Sequence, residues 1–334
     1  MTKTILIITD NLPDQINGVV TTYKNIEACA VLDGYNFVVL HPGWFSYIDC
    51  PGYNEVKIAY PRNMGKKIKE INPDYIHIAT EGPLGLWARA YLSLANIPHN
   101  TAYHTKFPEG LKKLFGIPES ITWRFVRWFH KHSGRVLTTT DSMVKELQAH
   151  GFSGEIVPWT RGVDRDIFFP KDYERDDRLH LMCVARVSKE KNLEDFFELD
   201  YPNARKIMVG DGPMLEIYKK KYPDVEFVGF KTGNDLAYYY NLADVFVFPS
   251  RWETFGIVMI EAMACGTPVA AYPCQGPEDV IEDGVTGYMD ENISDAIFMC
   301  TKLDREKVLE GSMKWSWDIA WKIFKESLIR IYTI

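Results

Sequence analysis

The chain alternates short apolar runs with longer segments whose apolar residues recur at helical spacing. Runs at 4–9 (TILIIT), 36–41 (NFVVLH), 75–79 (YIHIA), 99–104 (HNTAYH), 135–140 (RVLTTT) and 155–158 (EIVP) predict six strands. Amphipathic stretches such as 83–96 and 141–150 predict helices between them, the second opening on TDSMVKEL with Asp141 or Ser142 as N-cap. A charged passage, FFPKDYERDDRLH at 168–180, reads as a linker. The alternation restarts at 179–186 (LHLMCVAR), 204–210 (ARKIMVG), 225–230 (VEFVGF), 244–250 (DVFVFPS) and 267–273 (TPVAAYP). Continuous β-branched runs with helices between them predict parallel strands covered on both faces. Two such series predict an α/β chain of two Rossmann-like domains. The tail SMKWSWDIAWKIFKESLIRIYTI is aromatic with a helical period and is expected to pack back on the first domain. The expected division is therefore 1–165 plus a helix at about 313–334, against 166–312.

Composition narrows the class. The chain has 334 residues, 46% of them hydrophobic and 25% charged, which suits two soluble domains with real cores. A net charge of -7 gives no bulk electrostatic case for nucleic-acid binding. The six cysteines, at 29, 50, 183, 265, 274 and 300, form no Cys-x-x-Cys pair and read as reduced thiols of a cytoplasmic protein. The opening MTKTILIITD is too short an apolar run for a signal peptide or a span, so any membrane contact is expected to be peripheral, on the inner face. One region reverses the acidic trend. Residues 106–132 hold six Lys or Arg against two Glu and interleave Trp123, Phe125, Trp128 and Phe129 with Arg124, Arg127 and Lys131. Some of these aromatics must face the core, and core packing is one reading of most of them; the other reading is an interfacial patch for an anionic membrane surface.

The candidate chemistry centres on SRWETFGIVMIEAMACGTPVAAYP, residues 250–273. A strand ends, a turn follows, and GIVMIEAMACG opens a helix that Gly266 and Pro268 stop. Gly256 lets a ligand approach the helix start, where the amides of 255–258 favour an anion such as a diphosphate. Glu253 precedes the helix and Glu261 lies more than a turn inside it, so the two acids serve opposite ends of a long ligand. Vicinal ribose hydroxyls suit Glu261, leaving Glu253 the sugar end. No two His or Cys stand at ligand spacing and there is no Asp-x-Asp run, so no metal is expected.

This Glu-x7-Glu run keeps ordered company: TDNLPDQINGVVTTYKNI, IHIATEGPLGLWA, AYHTKFPEGL, RGVDRDIFFP, VARVSKEKNLEDF and VGDGP. Together, from about residue 3 to past 290, the series resembles the retaining GT-B glycosyltransferases of family four. Its loops look most like those of GDP-mannose-dependent α-mannosyltransferases and of sulfoquinovosyl and glucosyl lipid transferases. The resemblance implies two Rossmann-like domains facing a cleft, an acceptor-binding first and a donor-binding second. It implies catalytic roles for His104 over the donor sugar, for Arg186 and Lys191 against the leaving phosphate, and for Glu253. Donor binding falls to Gly18, Arg161, Gly210, Asp211, Gly212, Phe255, Gly256, Ile257 and Glu261, with an interdomain salt bridge as the other reading of Arg161. Glu81, Tyr103 and Lys106 fall on the acceptor side, with a helix-capping role as the other reading of Glu81; for Asp10, a cap or turn stands beside ligand contact. No cofactor is implied. The partners are a nucleoside-diphosphate hexose, with GDP or UDP as product, and a glycan or lipid hydroxyl. One departure is Asn17, where the family often has a second glycine. Rival readings are a glycoside hydrolase using Glu253 and Glu261, a non-catalytic nucleotide-sugar binding module, and an epimerase.

Overall fold

The computed structural model describes residues 2–15, 17–50, 53–104 and 106–332. They form two compact units, residues 1–161 with 317–334 and residues 162–316. The first unit holds strands β1 (Thr4–Ile8), β2 (Asn36–Leu40), β5 (Tyr75–Ile78), β6 (Asn100–Tyr103), β7 (Arg135–Thr138) and β8 (Glu155–Pro158). They make one parallel sheet in the order β2-β1-β5-β6-β7-β8. Between β2 and β5 lies an antiparallel hairpin, β3 (Ser46–Cys50) with β4 (Tyr53–Tyr60), which no period in the sequence announced.

The second unit repeats the plan. Strands β9 (Leu179–Val184), β10 (Ala204–Val209), β11 (Val225–Gly229), β12 (Val245–Phe248), β13 (Val269–Ala271) and β14 (Gly287–Met289) form a parallel sheet ordered β11-β10-β9-β12-β13-β14. In both units the order reverses beside the first strand, the place where open α/β sheets bind ligands beyond their carboxyl ends.

The reason these runs are continuous rather than alternating is visible strand by strand. Ile5 and Ile7 of β1 enter one core cluster, while Leu6 and Ile8 enter another on the opposite face. In β12, Phe246 and Phe248 face one cluster, and Val245 and Val247 the other. A strand covered on both sides has no polar face to alternate with.

The helices that matter below are α1 (Gly18–Leu32), α2 (Pro83–Leu94), α3 (Glu119–His130), α4 (Gly233–Leu242), α5 (Ile257–Ala264) and α6 (Trp317–Ser327). Helix α6 belongs to the first unit. Trp159 Nε1 donates to the Ala320 carbonyl at 2.9 Å, and Trp321 Nε1 and Lys325 Nζ donate to Asp33 at 3.0 and 2.7 Å. Phe324 is fully buried against Tyr23 and Trp159.

Caps explain several helix starts. The helix at 141–149 is capped by Thr140, whose hydroxyl accepts from the Met143 amide, rather than by the expected Asp141 or Ser142. Helix α2 is capped from a distance: Asp10, at the end of β1, accepts from the amides of Leu84 (2.6 Å) and Gly85 (3.3 Å) and from the Thr80 hydroxyl. A side chain at Gly82 would collide with that carboxylate. The charged passage at 168–180 is no loose linker. Phe168 is buried in the second unit's core, Asn241 accepts from the Lys171 amide, and Arg175 pairs with Asp244 at 2.6 Å.

Candidate functional site

In the second unit, β12 ends at Phe248 and the chain turns through Glu253 into α5. Gly256 caps α5 with φ +84, a left-handed conformation in which a side chain is strained. Gly276 approaches from the loop after β13, so close that a side chain there would lie 3.1 Å from the Glu253 carbonyl. Two glycines thus shape the turn that carries Glu253.

Glu253 is partly buried, and two kinds of donor hold it. One oxygen accepts from Lys191 Nζ at 3.1 Å and the other from the Thr254 amide at 3.0 Å. Burial alone would raise its pKa, but Lys191 and the amides of Thr254 and Phe255 hold it below the usual carboxylate value. Glu261 sits eight residues on, inside α5, where Tyr240 Oη donates to it at 3.0 Å. Among the described residues no cation answers it, and burial pushes its pKa up to about 7 against the pull of Tyr240. Phe255 is buried against Trp315 and Ile257 is half-buried, so these two offer a ligand backbone rather than side chain.

Lys191 reaches Glu253 because of a backbone lock. The loop after β9 and the glycine turn after β10 are joined by Ala185 N→Val209 O (3.1 Å), Val187 N→Asp211 O (2.9 Å) and Met214 N→Val187 O (3.0 Å). A Cβ on Gly210 would lie 1.9 Å from the Ala185 carbonyl, and one on Gly212 would lie 2.5 Å from that of Val187. The carboxylate of Asp211 closes the turn by accepting from the Gly212 amide at 2.6 Å. Arg186 rides on the same loop, between the two locked residues.

The first unit gathers a separate set. His104 follows β6 and is nearly buried, with Nδ1 accepting from Arg161 Nη2 at 2.9 Å and Nε2 lying 3.1 Å from Tyr23 Oη. Tyr23 Oη also lies 2.7 Å from His77 Nε2. A guanidinium can only donate, so the His104 proton is on Nε2 and points at Tyr23, whose own proton goes to His77. Burial first, then Arg161, hold His104 well below its ordinary pKa, and burial takes His77 down to about 3. Both imidazoles are therefore neutral at neutral pH. Arg161 is itself buried, lowered to about 10, and its other donors go to the carbonyls of Trp159 (2.7 Å) and Thr160 (3.0 Å). Every one of these partners belongs to the first unit.

Of the other expected residues, Glu81 lies 3.3 Å from the buried His130 Nε2, whose Nδ1 meets the Thr101 hydroxyl at 2.7 Å. Tyr103 is wholly buried between Trp123 and His130 and presents no surface to a ligand. Lys106 pairs loosely with Glu146 at 4.0 Å. Gly18 opens α1, but Asn17 Oδ1 accepts from the amides of Val19 and Val20, so a side chain already occupies the anion end of that helix. Sequence reasoning passed over Tyr23, His77, His130 and Tyr240. Each sits in an element where a buried aromatic is unremarkable, and only the folded partner marks it. Among the described residues no three His, Cys, Asp or Glu gather as a metal-ligand set.

In residues 106–132, Trp123 and Phe129 are buried and Phe125 is half-buried. Trp128 and Ile121 stay exposed on α3, beside Arg124 on the same helix and Lys131 at its end. No described helix is long and apolar enough to cross a membrane.

Two parallel-sheet Rossmann-like units, each with its candidate residues around the carboxyl ends of the strands, define the GT-B class of architecture. Comparison with known proteins names the family. Residues 18–167 match Glycosyltransferase Family 4 and residues 164–297 match Glycosyl transferases group 1, and the chain belongs to the glycosyltransferases that join these two domains. It is 30% identical over 262 residues to a sulfoquinovosyl transferase of Arabidopsis thaliana, matching 72% of this chain but spanning about half of that protein (51%). It is 26% identical over 314 residues to a GDP-mannose-dependent alpha-mannosyltransferase of Corynebacterium glutamicum, covering 85% of this chain and 76% of the relative. Among solved structures, a sucrose-phosphate synthase from Thermosynechococcus elongatus superposes with a TM-score of 0.81 over 97% of this chain and 98% of its own, at 18% identity.

Proposed function

We propose that the protein is a retaining, metal-independent glycosyltransferase that moves a hexose from a nucleoside-diphosphate sugar to a hydroxyl acceptor. The observation that carries this reading is the Lys191–Glu253 pair at 3.1 Å, set before a glycine-capped helix that bears Glu261. The amino end of α5 and the cations on the loop after β9 would face the diphosphate. Cleaving a sugar–phosphate bond loads charge on the leaving oxygen, and fixed donors aimed there lower the barrier. Glu261 would read the ribose, and Glu253, kept ionised, a hydroxyl or the developing positive charge of the sugar. The acceptor would be taken by the first unit. His104, which the resemblance sets over the donor sugar, is neutral and has both ring nitrogens engaged by Arg161 and Tyr23, so it would bond a sugar hydroxyl only by giving up Tyr23 and would not act as a charged acid. The leaving phosphate would take the acceptor's proton. The donor is GDP-mannose, a reading that the Corynebacterium relative's name supports, with a UDP-sugar as the other candidate. Contact with an anionic membrane surface would run through Ile121, Arg124, Trp128 and Lys131.

The test is a thermal-shift panel of GDP, UDP and their sugars, followed by transfer assays with the donor that binds. Glu261→Ala should weaken nucleotide binding, while Glu253→Ala and Lys191→Ala should lower turnover more than binding. Native transfer rates in all three variants would sink the assignment. One observation also fits a glycoside hydrolase: Glu253 is held ionised while Glu261 holds its proton to about pH 7, the pattern of a nucleophile and an acid. Release of free sugar from a simple glycoside without nucleotide would favour that chemistry.

A further inference from the structure

Glu261 has one hydrogen-bonding side chain among the described residues, and it is a tyrosine rather than a cation. Tyr240 is fully buried, wedged between Phe168 and Phe246 at 5.9 and 5.6 Å between ring centroids. Its backbone carbonyl accepts from the Thr267 hydroxyl at 2.7 Å, and Thr267 in turn is held by Arg305 at 2.9 Å. The ring cannot swing, so its hydroxyl has one direction to donate in. We propose that Tyr240 is a positioning residue whose hydroxyl turns the Glu261 carboxylate toward a ribose diol and favours its ionised form. The inference rests on the donor reading above and adds to it a residue and a proton.

The proton follows from the chemistry of the contact. A carboxylate accepts from two vicinal hydroxyls, whereas a carboxylic acid has given one of its oxygens to a proton. Glu261 holds its proton to about pH 7, so nucleotide uptake at neutral pH must expel part of one. Among the described residues the other titratable groups facing the pair are thiols: Cys265, just past the end of α5, raised to about 12, and Cys183 on β9, raised further still, both by burial first. Neither changes charge near neutrality. Arg305 and Lys171 act on Cys265, and neither figures among the groups that shift Glu261. Tyr240 is the remaining influence that favours the charged carboxylate, and removing its hydroxyl should move the titration upward.

The experiment is calorimetric titration of the full chain with GDP and UDP between about pH 6 and 8.5. The matching 2′,3′-dideoxynucleoside diphosphates carry the same phosphate titration and allow it to be subtracted. With the wild type, the ribose-dependent part of the affinity should tighten about tenfold across that range. In Tyr240→Phe the same curve should move about one unit to alkaline, leaving binding about fivefold weaker at pH 7 and converging with wild type near pH 9. Glu261→Gln should be flat. Equal weakening of Tyr240→Phe at every pH, or a profile superimposed on wild type, would overturn the proposal. A 13C titration of labelled glutamate carboxyls, with Glu261→Gln supplying the assignment, reads the same displacement without nucleotide. If the wild type binds neither nucleotide at any pH, the donor reading falls, and an unmoved carboxyl midpoint in Tyr240→Phe would separately dismiss the role of the tyrosine. Should Tyr240→Phe fail to fold, wild-type uptake at pH 7 must still release about half a proton with GDP or UDP beyond the dideoxy control. No release would overturn the coupling.

Discussion

Lys191 and Glu253 are each other's counter-charge, so deleting one strands the other. In Lys191→Ala the partly buried carboxylate loses its ammonium and its pKa must rise. Turnover should fall on the order of hundreds-fold, as when one fixed transition-state donor is lost, with a smaller loss of nucleotide affinity. Steady-state kinetics beside equilibrium titration measures the two separately. Glu261 behaves in the opposite way. Its carboxyl is raised from an ordinary 4.5 to about 7, so between those values the folded chain holds more protons than the unfolded one and loses stability as pH rises. Glu261→Gln should therefore raise Tm at pH 8, by roughly 2–4 °C per kcal/mol recovered, with the gain vanishing near pH 4.5. Scanning calorimetry at the two pH values decides it. Both acids were legible in the sequence because their spacing is local: a turn, a capping glycine and a helix. Tyr23 and His77 were not, since 54 positions separate two groups that lie 2.7 Å apart. No local pattern encodes such a meeting.

The glycine turn after β10 shows how one element sets another. Gly210→Ala drives a methyl into the Ala185 carbonyl, and neither backbone can retreat without breaking the lock that carries Arg186 and Lys191. The cost should be about 3 kcal/mol or more, with loss of nucleotide binding. Gly34→Ala, at φ +80 with open space around it, should cost only about 1 kcal/mol of backbone strain. Urea unfolding of the pair compares them, and equal costs would refute the close-approach account. The expected strands all form, because unbroken apolar runs between helical stretches have one stable use in an α/β chain. Hairpin β3–β4 and the short edge strand β14 escaped notice. Three-residue strands and half-exposed hairpins carry too few apolar positions to show a period. The passage at 168–180 misled by its charge: once the chain is folded, Asp244 pairs with Arg175 and Asn241 accepts from the Lys171 backbone amide.

Helix α6 fills the core of the first unit from the far end of the chain, so damage there should reach the site. Phe324 touches Tyr23, His77 and Trp159, the layer beneath His104. Phe324→Ala should cost about 3–5 kcal/mol, read as a fall in the urea midpoint. It should also broaden the His104 ring signals in NMR, an effect that cavity formation elsewhere in the unit would not produce. At the surface, Trp128→Ala combined with Arg124→Glu should weaken sedimentation with anionic vesicles about tenfold or more and leave neutral vesicles unaffected. Arg89, stacked 3.9 Å from the Trp128 ring, supports that indole from below. The sequence by itself determined the α/β class, the doubling of the sheet, the GT-B family and the helix that carries the two acids. All of these follow from local period and spacing, which unfolded and folded chains share. Only tertiary structure decided that Asp10 caps a helix more than 70 residues away, that Tyr103 is sealed in the core, and that Arg161 fixes a histidine. It likewise decided that a tyrosine, not a cation, attends Glu261. Those outcomes depend on which buried polar group finds which partner, and burial exists only once the sheets have closed over their cores.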